Sequence, residues 1–235
     1  MHRHFDEQLD ILKMQLIKMS GMAETMIGDA IAILVDRDES RIPILLAKEN
    51  VVNQMHKEID EACLTLMALY QPAGEDVRFI LGAVKTNSEL ERLADQAVNV
   101  SEKAAQLVQK KASIPHSQIE EMAQIVRVMV KDSLHAYVSG DSEKAKNVIL
   151  RDDRLDELRS LVIEKMMSCI IKKPEIVQNA ISVILMAQNL ERIGDHTTNI
   201  AENTVFVAEG LDIRHSNPSK SDPSESALSK FPPET

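Results

Sequence analysis

Tryptophan is absent from this 235-residue chain, aromatic residues make up 3 %, and there are only seven glycines and two cysteines. The missing aromatic and β-branched blocks argue against a sheet protein, because those side chains pack best on a pleated surface. Cys63 and Cys169 lie in apolar helical stretches and read as reduced core residues, as expected of a cytoplasmic protein. No stretch approaches the roughly 20 apolar residues that a membrane span requires. The opening MHRHFDEQLD has no apolar run, so no signal peptide is expected. Basic residues are outnumbered, giving a net charge of −10. That argues against nucleic acid, whose phosphates need clustered Lys and Arg, and suits cations or basic partner surfaces. No hydrolase triad, phosphate-cradling glycine loop or Cys/His zinc cluster is found.

What the chain does contain is 44 % hydrophobic residues, enough for a sizeable core, set at helical spacing almost throughout. Phe5, Leu9, Leu12, Leu16 and Met19 make the first stripe, and that helix continues to about Asp36. DRDESRIP (36–43) ends it, with Pro43 suited to the first turn of a second helix, and QPAG (71–74) ends the second. A third helix is expected over about 76–110, a fourth over 118–138, a fifth over 142–171 and a sixth to about Gly210. KASIP (111–115) separates two halves. The Ser-, Pro- and Lys-rich tail of residues 214–235 reads as disordered. The twelve methionines read mainly as core filling, and Gly21 and Gly28 inside the first helix either as places for close packing or a bend or, equally, as tolerated weak spots.

One segment occurs twice, one hundred positions apart: ELERLADQAVNVSE (89–102) and NLERIGDHTTNIAE (189–202). Outside it, Asp29 matches Asp132, Asp38 matches Asp141, Glu49 matches Asp152 and Asn53 matches Asp156, each 103 apart. Three helices therefore map onto three. The expected fold is all-α: two tandem three-helix bundles of long antiparallel helices, over residues 1–112 and 113–213, related by a pseudo-twofold internal repeat.

At about 100° per residue, Glu91, Asp95, Asn99 and Glu102 share one stripe of the third helix. Glu191, Asp195, Asn199 and Glu202 do the same on the sixth, in both cases away from the main apolar side. Like charges four residues apart destabilise a helix slightly, so something should offset them. A cation, the adjacent Arg92 and Arg192, or water and salt can each do so. If neighbouring helices align, Glu49/Asn53 face Glu91/Asp95, and Asp152/Asp156 face Glu191/Asp195, as two carboxylate clusters of the kind that hold metal ions. A lone Glu-x-x-x-Asp is ordinarily a solvated face. Its duplication with flanking Arg and Asn is what raises the functional reading.

The paired segments LERLAD and LERIGD resemble the signature of the PhoU family, regulators of bacterial phosphate uptake. HFDEQLDILKMQLIKM, VNQMHKEIDEA and GLDIRH resemble its opening, its second helix and its C-terminal end, so the likeness spans about residues 3–215. The resemblance implies multinuclear iron or zinc clusters. It points to Glu49, Asn53, Glu91 and Asp95 in the first half, and to Asp152, Asp156, Glu191 and Asp195 in the second. It also implies a non-catalytic adaptor, a homodimer, linking the ATPase subunit of a phosphate ABC transporter to a sensor histidine kinase. Asn53 departs from the pattern and leaves the first site one carboxylate short. His56, on the same face, offers a nitrogen ligand, although an exposed helix histidine is the plainer reading. Asn99, Asn199, Glu102, Glu202, Arg92 and Arg192 are candidates for additional contacts. An Asp132-x-x-His135 pair is a thin metal motif, and His196, about 100° from Asp195, is not expected to be a ligand. Two other classes compete. A di-iron carboxylate protein for metal storage or oxidation would use Glu-x-x-His, which is absent. A purely structural helical scaffold needs no metal.

Overall fold

The computed structural model describes residues 2–110 and 117–214, and all regular structure among them is helical. The KASIP separator falls outside the described residues, as does all but the first residue of the tail expected to be disordered. The helices are α1 (His2–Asp36), α2 (Ile42–Tyr70), α3 (Glu75–Gln109), α4 (Ser117–Ser139), α5 (Ser142–Ile149), α6 (Asp152–Lys172) and α7 (Val177–Glu209). Single 3₁₀ turns at Glu39–Arg41 and Pro174–Ile176 lead into α2 and α7. Pro43 sits in the first turn of α2. Gly210, at φ 73°, closes α7 in the left-handed conformation that glycine adopts without a Cβ penalty.

The helix expected over 142–171 is broken at Leu150 and Arg151 into α5 and α6. Asp152 and Asp153 thereby stand in the first turn of α6, where negative charge suits the helix dipole. Glu49, the counterpart of Asp152, lies well inside the unbroken α2.

α1, α2 and α3 pack on one another, as do α4, α5, α6 and α7. The most extensive pairing is between the halves, α3 against α7, and α1 also meets α4. α3 and α7 run antiparallel: the Gly82 backbone lies against Val207, Glu89 against Asn199, and Lys110 against Gln178. One hydrophobic core runs through both repeats, and the stripe Phe5, Leu9, Leu12, Leu16 and Met19 is buried in it.

The matched aspartates outside the doubled segment do structural work. Asp29 accepts from Lys48 Nζ at 2.6 Å and from Arg41 Nη1 at 3.1 Å. In the second repeat Arg151, the counterpart of Lys48, pairs with Asp132. Asp38 and Asp141 are N-caps, accepting from the backbone N–H of Ser40 and Lys144. A side-chain cap of this kind satisfies a helix-start donor that has no other partner.

Two expectations change. A Cβ added at Gly21 or Gly28 would meet nothing within 4 Å, so neither glycine marks a close approach. Cys63 is core, and burial pushes its thiol up to about 12, but Cys169 is only half-buried. Core filling holds for most methionines: Met19, Met26, Met55, Met122, Met129, Met166 and Met186 are buried, whereas Met14 and Met167 are exposed.

Candidate metal centres

Two acidic clefts lie between paired helices, one between α2 and α3 and one between α6 and α7. The second is the more strongly coupled. Burial, followed by the charges of Asp195, Asp156 and Glu191, raises the Asp152 carboxyl to about 7. Burial likewise raises Glu191 and Asp195, each with Asp156 adding to the effect. The four residues expected to face one another across the helices therefore do so. Asp156 and Asp195 are exposed, while Asp152 and Glu191 are half-buried.

Two features of this cleft were not anticipated. Arg159 places its Nε 3.7 Å from Glu191 Oε1 and 3.9 Å from Asp156 Oδ1, a protein cation inside the carboxylate group. That Nε is shielded from solvent and has no hydrogen-bond partner. Gly194, inside the LERIGD copy, is the second. A Cβ there would stand 2.5 Å from Leu155 Cδ1 and 3.1 Å from Asp152 Oδ1. Glycine thus lets α6 approach α7 closely enough to bring Asp152 in. The sequence held a signal for each: Arg159 is one turn beyond Asp156, and Gly194 replaces Ala94 of the first copy.

In the first cleft the Glu91 carboxyl is raised by burial and by Asp95, with His56 and Arg92 pulling the other way. α2 therefore brings His56 into electrostatic reach of Glu91. Glu49 and Asn53 are half-buried on α2, and among the described residues no hydrogen bond or ion pair joins them to Glu91 or Asp95. His56 Nε2 lies 3.5 Å from Asp60 Oδ2, and its Nδ1 is buried without a partner.

The other candidates divide. Asn199 donates to Glu89 Oε2 at 3.2 Å, and His196 Nδ1 lies 2.8 Å from the same oxygen, turned from Asp195 as expected. Asn99 and Glu202 are half-buried; Glu102, Arg92 and Arg192 are exposed. The charge of Arg192 opposes the rise at Glu191 and Asp195, and Arg92 acts similarly on Glu91. The Asp132/His135 pair does not form a metal motif. Arg151 holds Asp132, and Lys144 Nζ lies 3.0 Å from His135 Nδ1.

Among the described residues no three His, Cys, Asp or Glu side chains already converge on one point. Mutual repulsion accounts for this in the second cleft, where two of the four carboxylates turn to solvent. The donor set nonetheless suits a cation. Asp152 Oδ1 is buried and has no hydrogen-bond partner, packed against the Gly194 backbone where a Cβ would stand 3.1 Å from it. An orphaned acceptor among like charges is what a multivalent ion would satisfy.

The family model of the PhoU domain matches this chain twice, over residues 16–104 and 119–204. A Pseudomonas putida protein named phosphate-specific transport system accessory protein PhoU homolog is 31 % identical over 215 residues, covering 91 % of this chain and 84 % of the relative. A Clostridium acetobutylicum protein of the same name is 33 % identical over 210 residues, with 89 % and 96 % covered. The crystal structure of PhoU from Pseudomonas aeruginosa superposes with a TM-score of 0.86 at 29 % identity, covering 88 % of this chain and all of that one. A PhoU structure from Streptococcus pneumoniae, 23 % identical, shares the fold with a TM-score of 0.81.

Proposed function

The chain belongs to the PhoU family, and from that premise we propose that it is a non-catalytic accessory protein of phosphate transport. The observation that carries this reading is the twofold family match, together with relatives above 30 % identity that bear that name along nearly their whole length. In this reading it is a cytoplasmic adaptor that passes phosphate status between the ATPase subunit of a phosphate ABC transporter and a sensor histidine kinase. No helix among the described residues is long and apolar enough to cross a membrane; in this reading contact with the membrane runs through partner subunits. Leu64 and its repeat counterpart Met167 are 71 % and 51 % exposed. They offer apolar surface for partners or for a homodimer.

The acidic clefts are the proposed metal centres. Asp152, Asp156, Glu191 and Asp195 would hold iron or zinc in the second, and Glu91 and Asp95, with Glu49 and Asn53 on the facing helix, in the first. These carboxylates would hold the ion between neighbouring helices, and it would supply the charge that neutralises them. The chain's own part is to keep Asp152 buried against the Gly194 backbone and to balance the group with Arg159. Metal analysis of the full chain, purified without affinity-tag metal, beside the Glu191→Ala/Asp195→Ala double variant tests this. The expected result is metal in the parent protein, loss of second-cleft metal in the variant, and weakened phosphate repression in cells. Unchanged metal content and unchanged repression in the variant would sink the reading.

A further inference from the structure

The α2–α3 hairpin carries an apolar surface beside its acidic cleft. Asn87 of α3 donates to Asp60 of α2 at 2.9 Å, which fixes the register of the two antiparallel helices. One turn nearer the connecting loop Leu64 comes opposite Val84, and a turn further Met67 comes opposite Leu81. All four are exposed, Leu64 at 71 % and Leu81 at 45 %. In the second repeat the contact of Arg159 with Glu191 sets α6 on α7 in the same way. Two turns on, Met167 comes opposite Ile184 and then Ile170 opposite Ile181, with Met167 51 % and Ile181 47 % exposed. At the offsets of 103 for α2 on α6 and 100 for α3 on α7, these are the same positions, and each is apolar in both copies. Surface positions around them have diverged: Lys57 stands against Ser160, Asp60 against Ile163 and Lys85 against Leu185. A core must stay apolar in both copies, but nothing in the fold itself keeps an exposed position apolar.

Both surfaces lie on one face of the molecule. Glu89 meets Asn199 and Lys110 meets Gln178, so α3 and α7 run antiparallel about a centre near residues 94 and 194. A pseudo-twofold axis normal to that pair carries α2 and α3 onto α6 and α7 without turning the face over. Leu81 lies near the level of Val207, and Ile181 falls about 40 Å further along the pair at 1.5 Å per residue. Glu91, Asp95, Glu191 and Asp195 fall between them. Along the pair the surface reads apolar, acidic, acidic, apolar. Glu61 and its counterpart Glu164, three residues before Leu64 and Met167, are both exposed. They lie outside the clefts, so the rims stay acidic whether or not a cation is held there.

We propose that this face docks a twofold-symmetric protein partner, whose two apolar elements seat on the two hairpin surfaces and whose basic centre covers the acids between them, a step that rests on the accessory role proposed above.

Contiguous exposed apolar surface rimmed by charge is the mark of an interface, and here it is present twice at matched positions. Charge selects the occupant. The chain carries a net charge of −10 and sets acids between and beside the patches, so the surface that matches it is basic. A second copy laid face to face would set acidic clefts against acidic clefts. Symmetry selects the stoichiometry. A dimer whose axis coincides with the pseudo-twofold axis engages both patches with a single copy of this chain. The two contacts then reinforce each other as linked binding sites do.

The test mixes the purified full chain with each partner named above, the transporter ATPase subunit and the detergent-solubilised sensor kinase, reading stoichiometry by light scattering and affinity by calorimetry. At least one should bind as a dimer carrying one copy of this chain, and more weakly as salt rises. Leu64→Glu and Met167→Glu should each lower affinity roughly tenfold or more, and the double variant should abolish binding, with helical circular dichroism unchanged. Met14→Glu, at an exposed apolar position on the outward side of α1, should bind as the parent does. Two copies per partner dimer, single variants that bind as the parent does, or a Met14→Glu protein weakened as much as they are, overturns the docking face and leaves the accessory role standing. So does a self-associated parent that Leu64→Glu turns into a monomer, because a second copy then covers the face. A parent that binds neither protein overturns the accessory role and the docking face together.

Discussion

Glu89 of α3 and His196 of α7 meet across the two repeats, with Oε2 and Nδ1 2.8 Å apart and both side chains largely buried. Asn199 adds a second donor to the same carboxylate. The repeat counterparts, Asn189 and Gln96, carry no charge, so the pseudo-twofold interface has one ionic side and one neutral side. Burial alone would raise the Glu89 pKa, but the donors from His196 and Asn199 outweigh it and hold the carboxyl below the ordinary glutamate range. A group whose pKa is depressed by folding adds stability above its unfolded value, and that contribution is lost as pH falls through the folded one. Glu89→Gln should therefore cost about 1.5–3 kcal/mol at pH 7.5. The difference from the parent should shrink on the acid side of the ordinary glutamate range. Urea midpoints at the two pH values read this directly.

Asp152 has the opposite sign. Its folded pKa of about 7 lies above the ordinary aspartate value, so the native state binds the extra proton between the two. Stability of the metal-free protein should rise as pH falls from 8 toward 4, until the carboxylates such as Glu89 begin to protonate. Asp152→Asn should raise the melting temperature of metal-free protein at pH 8. Discounted for partial solvent screening, the gain is on the order of 1–2 kcal/mol. The variant should also flatten the pH profile. A melting temperature at pH 8 equal to or below that of the parent would show that the carboxyl is not held at a cost.

The helices were legible because α1 and its neighbours follow a plain 3.6-residue period, with Pro43 and Gly74 punctuating them. The break at Leu150–Arg151 was not, because residues on both sides continue a helical pattern and the stop depends on how Asp152 and Asp153 sit at the start of α6. The doubled segment identified the acidic clefts. It pointed to His56 on the Glu49/Asn53 face, but it did not show that Arg159 lies between Asp156 and Glu191, which only the placement of α6 against α7 reveals. Glu89 was missed for the same reason: its partner is set by the register of α3 against α7, more than one hundred residues away. Asp29 and Asp132 were recognised as a repeat pair, but their role came from the basic residues 19 positions on, Lys48 and Arg151.

Gly194 and Gly28 make a contrast that separates packing from helix propensity. A Cβ at 194 would collide with Leu155, itself fully buried, and crowd Asp152. Gly194→Ala should destabilise by about 1–3 kcal/mol through overpacking. It should also lower metal uptake at the second cleft by pushing α6 away from α7. Gly28→Ala meets nothing, so the gain in helix propensity of roughly 0.5–1 kcal/mol should appear undiminished. Thermal melts of the two variants, run with and without added Zn²⁺, check both halves of the expectation.

Arg159 supplies a cation between Asp156 and Glu191, and its charge opposes the rise in the Glu191 and Asp195 pKa values. Its removal should therefore act through the carboxylates rather than through lost packing. Arg159→Gln should destabilise metal-free protein by about 1 kcal/mol at pH 8, the scale of a partly exposed ion pair. The loss should shrink as pH falls and the acids take up protons, because neutral carboxyls need no counterion. Pairing it with Asp152→Asn distinguishes charge from shape. If the arginine acts by balancing charge, the double variant loses less than the sum of the single effects, by several tenths of a kcal/mol or more. Strict additivity at pH 8 would mean that Arg159 and Asp152 do not share one electrostatic site.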